Sequence, residues 1–122
     1  MTPVVYVLCQ TRSLANGGLE SMTQILGGMR SPRVIVTDRE SHFTDRWRDL
    51  GCEVHVWPIP DDDGPVVRRT TRAARAATLV AYNARIAQLL RAKGARVLHA
   101  NDIRAFWFSA LGARAVGARV VF

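Results

Sequence analysis

The sequence predicts an α/β fold: a Rossmann-like, doubly wound and mostly parallel sheet with helices on both faces. Five short apolar runs recur at residues 4–9, 34–36, 54–57, 97–98 and 120–122. Their hydrophobicity is continuous rather than alternating, as in strands covered on both sides. Helical patterns fill the intervals between them. This alternation calls for βαβ units joined by right-handed crossovers.

The first run, ending at Cys9, is a strand buried on both faces. After it, Leu19, Met22, Ile25, Leu26 and Met29 follow the spacing of one buried helical stripe, and Gly27-Gly28 loosens the end of that helix. The second run leads to a short helix over 43–50, stopped by Gly51. Beyond the third run, Asp61-Asp62-Asp63-Gly64-Pro65 reads as a solvated turn; a hard-cation site would need further ligands. The Ala-rich stretch 72–93 is a strong helix former, with Leu79, Ile86 and Leu90 on one side and Gly94 as its stop. A last helix over 104–116 ends at Gly117. The chain then stops at Phe122 inside an apolar run, and because termini usually lie at the surface, a fragment of a longer protein is expected.

Composition sets limits on function. The 122 residues, 48% of them hydrophobic, suit one domain that buries roughly two-thirds of its unfolded surface without crosslinks or metal. No apolar run approaches the ~20 residues of a membrane span, and no signal peptide opens the chain, so a cytoplasmic location is expected. The formal charge is +7, but the arginines are scattered, with only Arg68, Arg69, Arg72 and Arg75 closely spaced. Specific nucleic-acid binding is therefore not expected, and with 7% aromatics there is little to stack on single strands. Cys9 and Cys52 adjoin apolar runs like buried structural thiols, without metal-ligand spacing.

In a doubly wound sheet, ligands sit beyond the carboxyl ends of the strands. Two segments there carry the candidate residues. After the first strand, Asn16-Gly17-Gly18-Leu19-Glu20 opens a helix. A glycine pair admits close backbone approach, and unpaired helix N–H groups favour a phosphate. The same residues also read as a glycine-rich turn with Asn16 as a local cap. Neither G-x-G-x-x-G nor a Gly-Lys-Ser/Thr ending is present, which removes most support for dinucleotide and P-loop readings. After the fourth strand, His99-Ala100-Asn101-Asp102 gathers groups suited to acid-base work or sugar hydrogen bonding. Their plainer roles are a core histidine at His99 and a helix cap at Asp102.

Taken in order, these segments resemble the N-terminal domain of a GT-B glycosyltransferase, most like the retaining enzymes of family 4. The resemblance rests on Gly17-Gly18-Leu19-Glu20, on Arg96-Val97-Leu98-His99-Ala100-Asn101-Asp102 and on the run from Ala110 to Phe122, and it covers essentially the whole chain. It implies that residues 1–122 form the acceptor-side domain and that the C-terminal nucleotide-sugar domain is absent. The parent would transfer a sugar from a nucleotide-sugar donor to a glycan, lipid or small-molecule acceptor, with the donor as co-substrate and no tightly bound cofactor or metal. Gly17 and Gly18 inherit an approach to the donor diphosphate, with Asn16 beside them, and Glu20 a structural or cleft-lining role. His99, Asn101 and Asp102 line the cleft. Where the family usually has a second histidine, Asn101 stands, which cannot titrate near neutral pH but can orient a hydroxyl. The fragment alone is expected to be inactive, since its cleft has one wall. A lipid acceptor would suit contact between the basic segment 68–75 and the inner face of an anionic membrane. The alternatives are a stand-alone binding domain for a phosphorylated small molecule and one subunit of a split glycosyltransferase.

Overall fold

The structure is a computed structural model, and it describes residues 2–10, 17–59 and 72–122. Five parallel strands, β1 (Val4–Leu8), β2 (Arg33–Thr37), β3 (Glu53–Val56), β4 (Val97–Ala100) and β5 (Arg119–Val121), lie in the order β3-β2-β1-β4-β5. Each falls within or across one of the apolar runs. The central position of β1 explains its composition: Val5, Val7 and Leu8 are fully buried, with neighbours on both sides. Along its register Tyr6 sits between Ile35 and His99, and Val7 between Val36 and Ala100.

The four described helices are α1 (Gly17–Gly28), α2 (His42–Asp49), α3 (Arg72–Lys93) and α4 (Ile103–Ala115). They match the four expected segments, with ends displaced by a residue or so. Gly51, Gly94 and Gly117 follow α2, α3 and α4 with positive φ, the left-handed conformation that ends a helix at low cost with glycine. Helix α2 also has a capping box. The Ser41 hydroxyl accepts from the Phe43 N–H at 3.0 Å, and the Thr44 hydroxyl accepts from the Ser41 N–H at 3.0 Å.

Two cores flank the sheet. On one face Val5, Val7, Val36, Leu98 and Ala100 pack against α3 and α4 through Tyr82, Ile86, Leu90 and Ala113. On the other, Tyr6, Leu8 and Ile35 pack against Leu19 and Leu26 of α1 and Phe43 and Trp47 of α2. The Asp61–Asp63 turn and the first half of the basic segment 68–75, with Arg68 and Arg69, lie outside the described residues.

The α1 stripe differs from the expected one. Ile25 is more than half exposed, and Thr23 is buried in the stripe instead. The reason is a hydrogen-bond chain: the Thr23 hydroxyl donates to the Leu19 carbonyl at 2.7 Å and accepts from the Trp47 Nε1–H at 2.9 Å. A hydroxyl satisfied in both directions can enter a core at little cost. Helix α1 ends at Gly28, the second glycine of the pair expected at its end.

Candidate functional site at the carboxyl edge of the sheet

Strand order reverses between β1 and β4, the first going on to α1 and the second to α4. A doubly wound sheet opens a crevice at such a point because the two following connections leave in different directions. The residues that end β1, β2 and β4 therefore meet at one edge of the molecule.

At the end of β4 the Asn101 N–H donates to the Val7 carbonyl at 3.3 Å, extending the β1–β4 ladder by one residue. The side chain of Asn101 gains nothing comparable: its Oδ1 is buried and has no hydrogen-bond partner. Nδ1 of His99, two residues earlier, is likewise buried and unpartnered. Native proteins pair nearly all such atoms, so two orphans on one strand end mark a place with hydrogen-bonding capacity to spare. The His99 ring lies 5.6 Å from that of Tyr6. It is half-buried, and desolvation lowers its pKa from the ordinary 6.5, so the ring is neutral at physiological pH.

Asp102 has a defined local task. It is the N-cap of α4 and accepts the Ala105 N–H at 2.8 Å. Gly17 opens α1, and a Cβ placed there would meet nothing within 4 Å. Its φ is not positive either, so neither packing nor backbone conformation requires glycine at this position. Gly18 is exposed beside it, and Asn16 lies outside the described residues. Glu20 turns to α2, where Arg46 holds it with two hydrogen bonds of 2.7 and 2.9 Å. That guanidinium keeps the Glu20 carboxyl below the usual range. Glu20 thus ties α1 to α2, while His99, Asn101 and Asp102 share the end of β4.

Sequence reasoning passed over a second polar cluster, at the ends of β1 and β2. The buried Gln10 amide N–H donates to Asp38 Oδ1 at 2.8 Å. Its carboxamide donates to the Thr37 hydroxyl at 3.1 Å and to the Arg39 carbonyl at 2.7 Å. The Thr37 hydroxyl in turn donates to the Leu8 carbonyl at 2.7 Å. The only sequence signal was a Thr-Asp pair directly after an apolar run. Between the clusters lies Cys9, whose thiol is pushed up to about 12, first by burial and then by the charges of Asp38 and Asp102. It stays protonated, which makes it a packing group rather than a nucleophile. Among the described residues, no three His, Cys, Asp or Glu side chains converge as metal ligands would.

The neutral His99 gives a pH signature. Because the folded state holds its proton more weakly than the unfolded chain, stability is complete above about pH 6.5 and falls as the pH drops through the folded pKa. The lowered carboxyl groups of Glu20, Glu40 and Glu53 lose their contributions only below their ordinary value of 4.5. Thermal unfolding between about pH 7.5 and pH 5 should therefore show a decline that His99→Gln flattens. An equal decline in both proteins would assign it elsewhere.

No family description matches the chain, and no curated protein matches it in sequence. Solved structures do. A glycosyltransferase from Rickettsia africae ESF-5 aligns over 97% of this chain with a TM-score of 0.64 and 16% identity. Anabaena Alr3699/HepE, in complex with UDP and glucose, aligns over 98% with a TM-score of 0.66 and 13% identity. The fold is Rossmann-like. This Rossmann-like chain spans 28% and 29% of the length of those two proteins. It also aligns, at a TM-score of 0.57 and 8% identity, with the C-terminal domain of a Pyrococcus furiosus hydrogenase, covering 88% of that chain. At such identities the likeness establishes architecture, and chemistry has to be argued from the residues at the edge of the sheet.

Proposed function

We propose that the chain is the N-terminal, acceptor-side domain of a cytoplasmic GT-B glycosyltransferase that moves a sugar from a nucleotide-sugar donor to an acceptor with retention, as the resemblance to family 4 implies. One observation carries the reading. Two unpartnered buried polar atoms, His99 Nδ1 and Asn101 Oδ1, end the strand at the topological switch point. Sugars offer many hydroxyl groups, and a buried acceptor such as Asn101 Oδ1 would take a hydroxyl hydrogen that no protein group supplies. The structural neighbours support the class of ligand, since one of them carries UDP and glucose.

Each residue has a role in this reading. Gly17 and Gly18 leave room for a diphosphate to approach the first turn of α1, whose N–H groups and dipole favour an anion. Asn101 orients a hydroxyl. His99, neutral, offers Nδ1 as donor or acceptor according to its tautomer. Asp102 fixes the start of α4 and thereby the direction in which the end of β4 points. The buried, protonated Cys9 supplies no nucleophile, so these residues contribute by position and hydrogen bonding. Residues 1–122 supply one wall of the cleft and have no transferase activity alone.

Titration of the isotope-labelled chain with UDP, followed by amide shifts, tests the reading. Gly17, Gly18, Asn101 and Asp102 are expected to move, with a Kd of about 1 mM, since only half of a pocket is present. Gly17→Ala should leave Tm within the equivalent of about 0.5 kcal/mol, because its Cβ enters open space, and should weaken UDP binding at least threefold. Silence at these amides, or turnover of a nucleotide sugar by the purified chain, would overturn the proposal. Submicromolar binding of a phosphorylated ligand would favour the stand-alone binding domain.

A further inference from the structure

The two layers that cover the sheet differ in charge. The α1–α2 side carries Glu20, Glu40, Asp45 and Asp49. Helices α3 and α4 together contain no acidic residue, with five basic residues in the first and two in the second. Among them, Lys93 pairs with Glu53 at 2.7 Å and Arg85 lies over the Trp57 ring at 4.2 Å.

The outer surface of this cationic layer is apolar where it should be wet. Ile103, Trp107 and Leu111 recur at four-residue spacing along α4 and are 66%, 57% and 64% exposed. At 100° per residue they span an arc of about 80°. Arg114 falls inside that arc and Arg104 at its margin. The opposite side of α4, at Ala105, Ser109, Gly112 and Ala113, is buried in the fold. On neighbouring α3, Val80 is 67% exposed. Packing among the described residues therefore leaves this stripe unused. Scattered exposed apolar residues need no explanation, but an aligned Ile-Trp-Leu row bordered by arginines, in a layer without acids, has a defined complement.

We infer that the outer face of α4 docks on an anionic lipid bilayer, with Ile103, Trp107 and Leu111 entering the headgroup boundary and Arg104 and Arg114 meeting lipid phosphates. Charge complementarity selects a negative partner, and each arginine near such a surface strengthens binding about fivefold. The aliphatic row selects one with an apolar interior. Nucleic acid would use the cations but accommodates an apolar row only at the cost of unstacking bases, whereas a bilayer takes it up directly. Tryptophan favours the boundary, where an apolar ring and an N–H donor are both accommodated. No described helix is long and apolar enough to cross a membrane, so the contact is peripheral. It is independent of the transferase reading, because vesicle binding requires neither donor nor acceptor.

The protein reports on this contact itself. Trp47 and Trp57 are buried, at 0% and 9% exposure, so a change in indole environment on docking belongs to Trp107. Mixed with phosphatidylcholine vesicles containing about 30% phosphatidylglycerol, the chain should co-sediment and its emission shift to the blue, with affinity at least tenfold above that for phosphatidylcholine alone. The double variant Ile103→Ser, Leu111→Ser should bind at least tenfold more weakly at unchanged Tm, since both side chains are already exposed in the free protein. Trp107→Phe should retain binding and lose the shift. Failure to bind at about 0.1 M salt, or equal binding by the double variant, would overturn the inference. So would a blue shift produced by protein concentration alone, which would make the stripe a self-association face, or tighter binding to an oligonucleotide than to vesicles.

Discussion

Trp47→Ala is expected to lower stability by about 3–5 kcal/mol, the range for removing a fully buried large aromatic side chain. Trp47 is 0% exposed and is the largest fully buried side chain, so truncation opens a cavity in the core beneath α1 and α2. The indole also stacks on Phe43, with ring centroids 5.9 Å apart, and donates from Nε1 to Thr23. Its loss would leave the buried Thr23 hydroxyl without its donor, and Thr23 entered the core only because both of its hydrogen-bonding roles were filled. Equilibrium urea unfolding measures the effect. Trp47→Phe keeps the ring, loses the donor and should cost less than half as much. A loss under 1 kcal/mol for Trp47→Ala would mean that this core is not essential to the fold.

Gly112→Ala is the second large expectation, on the opposite face. Helices α3 and α4 approach closely at this position: a Cβ on Gly112 would collide with the Asn83 carbonyl oxygen, sit 3.0 Å from the Asn83 carbonyl carbon and 3.3 Å from the Ala87 nitrogen. All three are backbone atoms, so no side-chain rotation relieves the clash. The crossing is also pinned by hydrogen bonds. Asn83 accepts from the Gly112 N–H at 2.9 Å and donates to the carbonyls of Leu79 at 2.9 Å and Trp107 at 3.1 Å. The helices must separate to admit a methyl group, and the two bonds that cross between them, to Gly112 and Trp107, would lengthen as they do. A loss of about 3 kcal/mol or more is expected, at the upper end of overpacking costs. Gly17→Ala, the same chemical change at an open position, serves as the control. If the two variants unfold at the same urea concentration, the close crossing of α3 and α4 is wrong.

The strands were readable because each is covered on both faces, so a plain apolar run carries the signal without any need for register. Helix ends were readable wherever a glycine takes positive φ, as Gly51, Gly94 and Gly117 do. Periodicity misplaced Ile25 and Thr23 because hydropathy ranks a threonine as polar whatever its hydroxyl meets. The donor that makes Thr23 a core residue is Trp47, 24 positions away. The candidate site divides along the same line. Asp102 acts on its own helix, over three residues, and its capping role could be read from adjacency. The network of Gln10, Thr37 and Asp38 joins residues 27 and 28 positions apart and exists only after β1 and β2 have paired. The unpartnered atoms of His99 and Asn101 are less legible still, since no sequence pattern records a hydrogen bond that is not made.

Only two residues separate the end of β4 from helix α4, which packs on β4, β5 and β1, so it lies flat on the sheet with its first turn at the carboxyl edge. A flat body resting on its outer stripe would lie parallel to the sheet, and the crevice would open sideways along that body. Docking on α4 consequently cannot cork the crevice. With the helix about 10–12 Å across, the mouth would stand roughly one helix thickness above the surface. Soluble molecules could enter from the open side, and a molecule tethered in the surface by a short flexible stem could reach the same mouth without leaving it.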